Sequence, residues 1–146
     1  MDRSYIQANA RELRRLRTLV SRLSDRELGS MVNDYWSVAG VLGHIAFWDG
    51  RALFFAGRLR RSDPFTGSDD EPENVDWIND ASRPLIHAIA PRALAELAVR
   101  IAEETDELVA SLSDEVVAGL DESSPLNPVR ARHRSEHLDE IEAALN

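Results

Sequence analysis

Apolar residues recur at three- and four-residue steps along most of this chain, and that rhythm predicts helices. Between Ser4 and Leu23 the positions Ile6, Leu13, Leu16, Leu19, Val20 and Leu23 form one stripe, as expected of a helix with one face against a core. Ser24 and Asp25 end it, and Asp25 through Asp34 reads as a connector with room for a short turn. Ser37 is placed to cap a second helix, whose apolar positions Val38, Val41, Leu42, Ile45, Phe47 and Trp48 carry it toward Arg60. Gly40 stands where a capping box would need an acid. Gly40 and Gly43 weaken the helix locally but let another helix come close.

Arg61 to Asn74, RSDPFTGSDDEPEN, is polar and turn-like. Its acids do not follow the spacing of a calcium loop, because the required glycine and closing glutamate are misplaced, so a solvated loop is expected. Val75 to His87 is helical in pattern, with Pro84 an obstruction inside it. A break is expected between His87 and Pro91. Pro91 suits the first turn of the next helix, which has Leu94, Leu97, Ile101, Leu108 and Leu112 on its apolar face and ends near Leu112. After the turn-rich SDEVVAGLDESSPLNP, Asn127 can cap and Pro128 can open a final helix running to Ala144. No segment alternates with the period of a strand. The prediction is an all-α fold: a four-helix bundle with short extra helical turns in the connections, as one domain over 1–146.

Composition narrows the chemistry. The 146 residues are 43% hydrophobic and 29% charged, enough to bury a core without cross-links. Acidic residues outnumber basic ones 26 to 17, a formal charge of -9, which disfavours nucleic acid as a partner. All the basic residues are arginines. The absence of cysteine removes disulfides, thiolate ligands and a cysteine nucleophile, so any thiol would have to be brought by a cosubstrate. The first residues lack the apolar stretch of a secretory signal, and no apolar run approaches about 18 residues, so a cytoplasmic protein without a membrane partner is expected.

The chemistry-bearing pattern lies in NPVRARHRSEHLDEIEAALN. His133 and His137, four apart, share one helix face, which Ile141 continues and Val129 precedes. Two imidazoles so spaced can converge on one ion, or they can be two polar residues on an ordinary helix. His44 is the natural third ligand, sharing a face with Val41, Trp48 and Arg51; alone, it reads equally as a partly buried histidine bonded to a neighbour. Three histidines with an open position suit catalytic zinc, and imidazole also binds nickel or iron. His87 has no spaced partner and reads as structural or exposed. Around the histidines, Glu140 either orients an imidazole or is a solvated glutamate, with Glu136 nearby. Arg51 either meets an anionic substrate or forms a surface salt bridge, and Asp49 is a further candidate. Trp48 and Phe55 either wall a pocket or belong to the core.

Trp36-Ser37-Val38 followed by Leu42-Gly43-His44-Ile45-Ala46 resembles the second-helix signature of the DinB-like superfamily, a group of bacterial metal-binding four-helix bundles. His133-Arg134-Ser135-Glu136-His137-Leu138 resembles its final-helix signature, and Asn74 to Asn79, NVDWIN, the start of its third helix. The three matches come in order and span almost the whole chain. The group includes mycothiol-dependent maleylpyruvate isomerases and related thiol S-transferases. The resemblance therefore implies metal ligands at His44, His133 and His137, zinc or nickel as the ion, and a homodimer. Gly40 departs from the family's usual acid at the start of the second helix. His133 stands where some isomerase-like relatives have a glutamate, which favours the all-histidine branch, and 1–146 contains no counterpart of the C-terminal domain added in some isomerases.

Two functions follow. One is a metal-dependent enzyme that activates a low-molecular-weight thiol or water toward a small electrophilic substrate, with Glu140 and Arg51 as candidate catalytic residues. The other is a non-catalytic metal-binding or stress-associated bundle.

Overall fold

A computed structural model describes residues 1–63 and 72–146, with side chains described from Val75 onward in the second span. The described residues are helical nearly throughout: α1 (Ser4–Arg22), α2 (Asp25–Leu28), α3 (Val38–Arg60), α4 (Pro72–His87), α5 (Pro91–Ala110), α6 (Asp114–Ala118) and α7 (Ala131–Leu145). The helices α1, α3, α5 and α7 form the bundle, α4 lies against α3, and α2 and α6 are the short turns of the connections. The solvated loop expected over 61–74 falls largely on residues outside those described, and helix resumes at Pro72, before the expected Val75.

α3 is the centre of the bundle. Every residue from Val38 to Ala46 is buried, so this helix meets neighbours all round rather than along one stripe. The Ser37 hydroxyl accepts from the Gly40 amide at 2.9 Å, as its capping position predicts. The two early glycines have a packing reason. A Cβ on Gly43 would stand 2.6 Å from an Ile86 methyl and 2.9 Å from a Leu94 methyl, and one on Gly40 would run into the His87 ring. His87 is thus exposed and structural, folded over the backbone of α3. Phe47, expected on the buried face, is 40% exposed.

The buried line of α5 also differs from the expected one. Leu94 is buried, but the line continues through Ala95, Ala98, Ala102, Thr105 and Val109, while Leu97, Ile101 and Leu108 are half-buried flanks. Small side chains let the axes of α3 and α5 draw together, which displaces the larger leucines to the edges of the contact.

α1 and α5 close each other's ends. Arg3 donates to the Leu112 carbonyl at 2.7 Å and the Ala110 carbonyl at 3.3 Å, at the end of α5. Arg92, at the start of α5, donates to the Leu23 carbonyl at 2.6 Å and the Val20 carbonyl at 3.2 Å, at the end of α1. Each guanidinium satisfies carbonyls that a helix terminus leaves without an internal partner.

α7 starts later than Asn127 and Pro128 suggest. The Asn127 side chain instead closes a turn onto the Val129 amide at 2.9 Å, and Val129 lies outside the helix, 41% exposed. The cap comes from α1: buried Asn9 accepts from the Arg130 and Ala131 amides at 2.8 and 2.9 Å and donates to the Pro128 carbonyl at 2.8 Å. Helix α7 therefore begins where another helix supplies the acceptor.

Candidate metal centre

The three histidines meet between α3 and α7. His44 Nε2 and His133 Nε2 are 3.1 Å apart, and the His137 ring centroid lies 4.6 Å from each of the other two. One nitrogen from each ring lies within 4.8 Å of the others, the one such grouping among the described residues. Trp36 and Trp48 pack against His44 edge to face, with ring centroids at 5.6 and 6.5 Å. His137 Nδ1 donates to Glu140 Oε2 at 2.9 Å, which leaves its Nε2 as the lone-pair atom. The His44 and His133 rings meet through Nε2, while their Nδ1 atoms are buried without a hydrogen-bond partner.

Burial pushes the His44 imidazole down to about 3 and His133 down to about 2, with charge repulsion from His137 adding to both. Neutral imidazole is the form that binds a metal. Two nitrogens sharing a tetrahedral ion at the usual zinc–nitrogen length would be about 3.3 Å apart. The observed 3.1 Å fits that arrangement, and an all-imidazole donor set suits a divalent ion such as zinc or nickel. The cluster can coordinate a metal ion.

The cluster opens onto a cavity of about 540 Å³. Val41, Trp48 and Arg51, which share the His44 face of α3, line it together with Asn79 of α4, Pro125 of the α6–α7 connection, and Arg130 and Glu140. Trp48 Nε1 donates to Asn79 Oδ1 at 2.8 Å, tying α4 to this wall. Arg51 reaches the cavity but is held there: its Nη1 donates to the Pro125 carbonyl at 2.7 Å and its guanidinium lies over Phe55, 4.7 Å from the ring centroid. Phe55 itself belongs to the core with Tyr5, Val109, Leu112 and Leu126 and does not line this cavity. Glu136 pairs with Arg132 on the exposed side of α7.

The sequence profile of the DinB superfamily matches residues 8–138, a span that includes all three histidines. The chain belongs to the DinB superfamily. No curated protein and no solved structure matches it at a significant level. The bundle with its short extra turns is the architecture expected of this superfamily, and His44, His133 and His137 come together as the resemblance implied.

Pattern alone did not reveal the buried charge cluster behind the histidines. Asp49, fully buried, accepts from Arg130 Nε at 2.9 Å and Arg134 Nε at 2.8 Å. Arg134 also grips Asp106 with both terminal nitrogens, at 2.9 and 2.8 Å. Burial opposes the charge on Arg134, but Asp49 and Asp106 outweigh it and hold the guanidinium above its ordinary value. Asp49 thus joins α3 to the N-cap residue of α7 and to its first turn, on either side of His133. A usable signal was present: an acid inside the apolar run of α3, and arginines three residues before and one after His133.

Proposed function

We propose that His44, His133 and His137 hold one divalent ion, zinc or nickel, in an enzyme that turns a low-molecular-weight thiol or water against a small electrophile. One observation carries the reading: three imidazole donors converge at the wall of a cavity rather than inside a closed core. A site with three protein donors and an open side is the pattern of catalytic rather than structural zinc. When bound, the ion supplies Lewis acidity, lowering the pKa of a thiol or water ligand so that a nucleophile forms near neutral pH.

The protein's own groups do the rest. Glu140 fixes the ring of His137 and raises its basicity through the Nδ1 hydrogen bond, and it is placed to take a proton at that carboxylate. Trp36 and Trp48 wall the cavity, exclude water from the side of His44, and give the reactants an apolar surface. With no cysteine in the chain, a thiol nucleophile is a cosubstrate.

The test is metal per chain in untagged protein purified without chelator, followed by turnover of small electrophiles with added thiols. About one zinc or nickel per chain is expected, lost in both His44→Ala and His133→Ala. Thiol-dependent turnover lost in the same variants supports catalysis. Stoichiometric metal with no turnover across thiols and electrophiles would leave the non-catalytic metal-binding bundle as the function.

A further inference from the structure

Two arginines share Asp49, and they are satisfied very differently. Arg134 is enclosed, and every nitrogen of its guanidinium is bonded: Nε to Asp49, Nη1 to Asp106 and the Asn9 carbonyl, Nη2 to Asp106 and the Ala102 carbonyl. Arg130 is 9% exposed, yet its guanidinium makes only the Nε bond to Asp49. Its two terminal nitrogens have no hydrogen-bond partner among the described residues, and the side chain lines the histidine cavity one turn before His133. These two nitrogens keep solvent contact on the cavity side, so the outer edge of the fork is open to an incoming acceptor with no protein bond to break.

We propose that Arg130 is the anion-recognition residue of this cavity and that the ligand it takes is a small carboxylate. This deepens the functional reading above, naming the substrate class of the same site. Asp49 holds Nε and so fixes the plane and direction of the fork, leaving the outer Nη1/Nη2 edge to receive two carboxylate oxygens in parallel. Fixing the donor before the ligand arrives reduces the ordering cost of binding. Asp49 meets Arg130 at Nε alone, and its second oxygen bonds Arg134. Asp106 bonds Arg134 alone of the two. A planar carboxylate matches the parallel Nη1/Nη2 edge of Arg130, and Trp36 and Trp48 give the rest of a small organic acid an apolar wall in the same cavity. A molecule gripped there by its carboxylate has its other end beside the histidines. Arg51, the sequence-level candidate for this role, has its Nη1 on the Pro125 carbonyl instead.

The probes are succinate, its neutral analogue succinamide, and inorganic phosphate, titrated calorimetrically at low salt into chelator-treated and zinc-loaded full-length protein. The formal charge of -9 suppresses nonspecific anion adsorption, so binding reports a local site. Chelator-treated wild type is expected to bind succinate at least about tenfold more tightly than succinamide or phosphate, and Arg130→Gln to lose that margin, with Arg130→Lys intermediate. Equal binding of succinate and succinamide by wild type overturns the proposal, and so does an Arg130→Gln variant that binds succinate like wild type. Phosphate binding tighter than succinate overturns the carboxylate assignment. Should Arg130→Gln fail to fold, the wild-type succinamide comparison decides alone. The two readings fail separately: Arg130-dependent succinate binding without zinc uptake removes the metal reading, whereas zinc uptake without succinate discrimination removes this one.

Discussion

Glu140 is half of a pair whose other half is His137, and the 2.9 Å bond between them makes a residue-scale prediction. Glu140→Gln keeps the size but loses the charge that stabilises the imidazole N–H, so zinc affinity should fall by about 10- to 100-fold with the melting temperature of metal-free protein unchanged. Competition against a chromogenic chelator measures it, and unchanged affinity would return Glu140 to an ordinary helix glutamate. His44 and His133 set a pH dependence. In the unfolded chain both titrate near the ordinary value of 6.5, whereas in the metal-free fold burial holds them at about 3 and about 2. Below pH 6.5 the unfolded state therefore takes up protons that the fold refuses, and unfolding becomes easier as pH falls from 6.5 toward about 3. Urea midpoints of chelator-treated protein at about pH 7 and about pH 5 should show the loss, and His133→Gln should show less of it.

At the scale of elements, helix ends are closed across the bundle as often as from within. The local closures are at α2, α3 and α6: Ser37 and Ser113 cap α3 and α6, and at α2 Ser24 and Glu27 form a reciprocal capping box readable from the spacing S-x-x-E alone. Asn9 serves α7 from a distance of more than a hundred residues. Asn9→Leu should cost about 1–3 kcal/mol in chemical denaturation, because two amide donors at the start of α7 lose their acceptor in a buried place. The same variant should loosen His133, one turn farther on. Gly43→Ala should cost about 1–3 kcal/mol, because its methyl would press on Ile86 and Leu94 in a contact already packed.

For the whole molecule, Asp49 decides how α3 and α7 sit together. Its carboxylate bonds the arginines on both sides of His133, and one turn and a half earlier on α3 stands His44. Asp49→Asn leaves Arg130 without a carboxylate partner and Arg134 with Asp106 alone. Stability should fall by about 3–5 kcal/mol, and zinc content should fall with it even though every histidine remains. Denaturation and metal content on one preparation check both; a stable, fully metallated variant would show that the arginines do not set the helix register. Among the described residues no helix is long and apolar enough to cross a membrane.

The helices and the His133–His137 pair were legible in the chain because they rest on spacings of three and four residues, which an α-helix converts directly into a shared face. Ser37 and Pro91 marked helix starts through local backbone chemistry, and the glycines of α3 marked a close approach. That His44 belongs with the later pair was readable only as a shared face and a family resemblance. The structure brings its nitrogen to 3.1 Å from that of His133. The tertiary structure alone decided the rest. The buried line of α5 passes through alanines because small side chains let α3 and α5 approach closely, and the choice of that face is made by packing across the bundle. The start of α7 depends on Asn9, and the separate fates of Arg130 and Arg134 depend on which carboxylates lie across the bundle. Such long-range partners leave no period in the sequence, since a hydrogen bond between distant residues is set by packing and not by spacing.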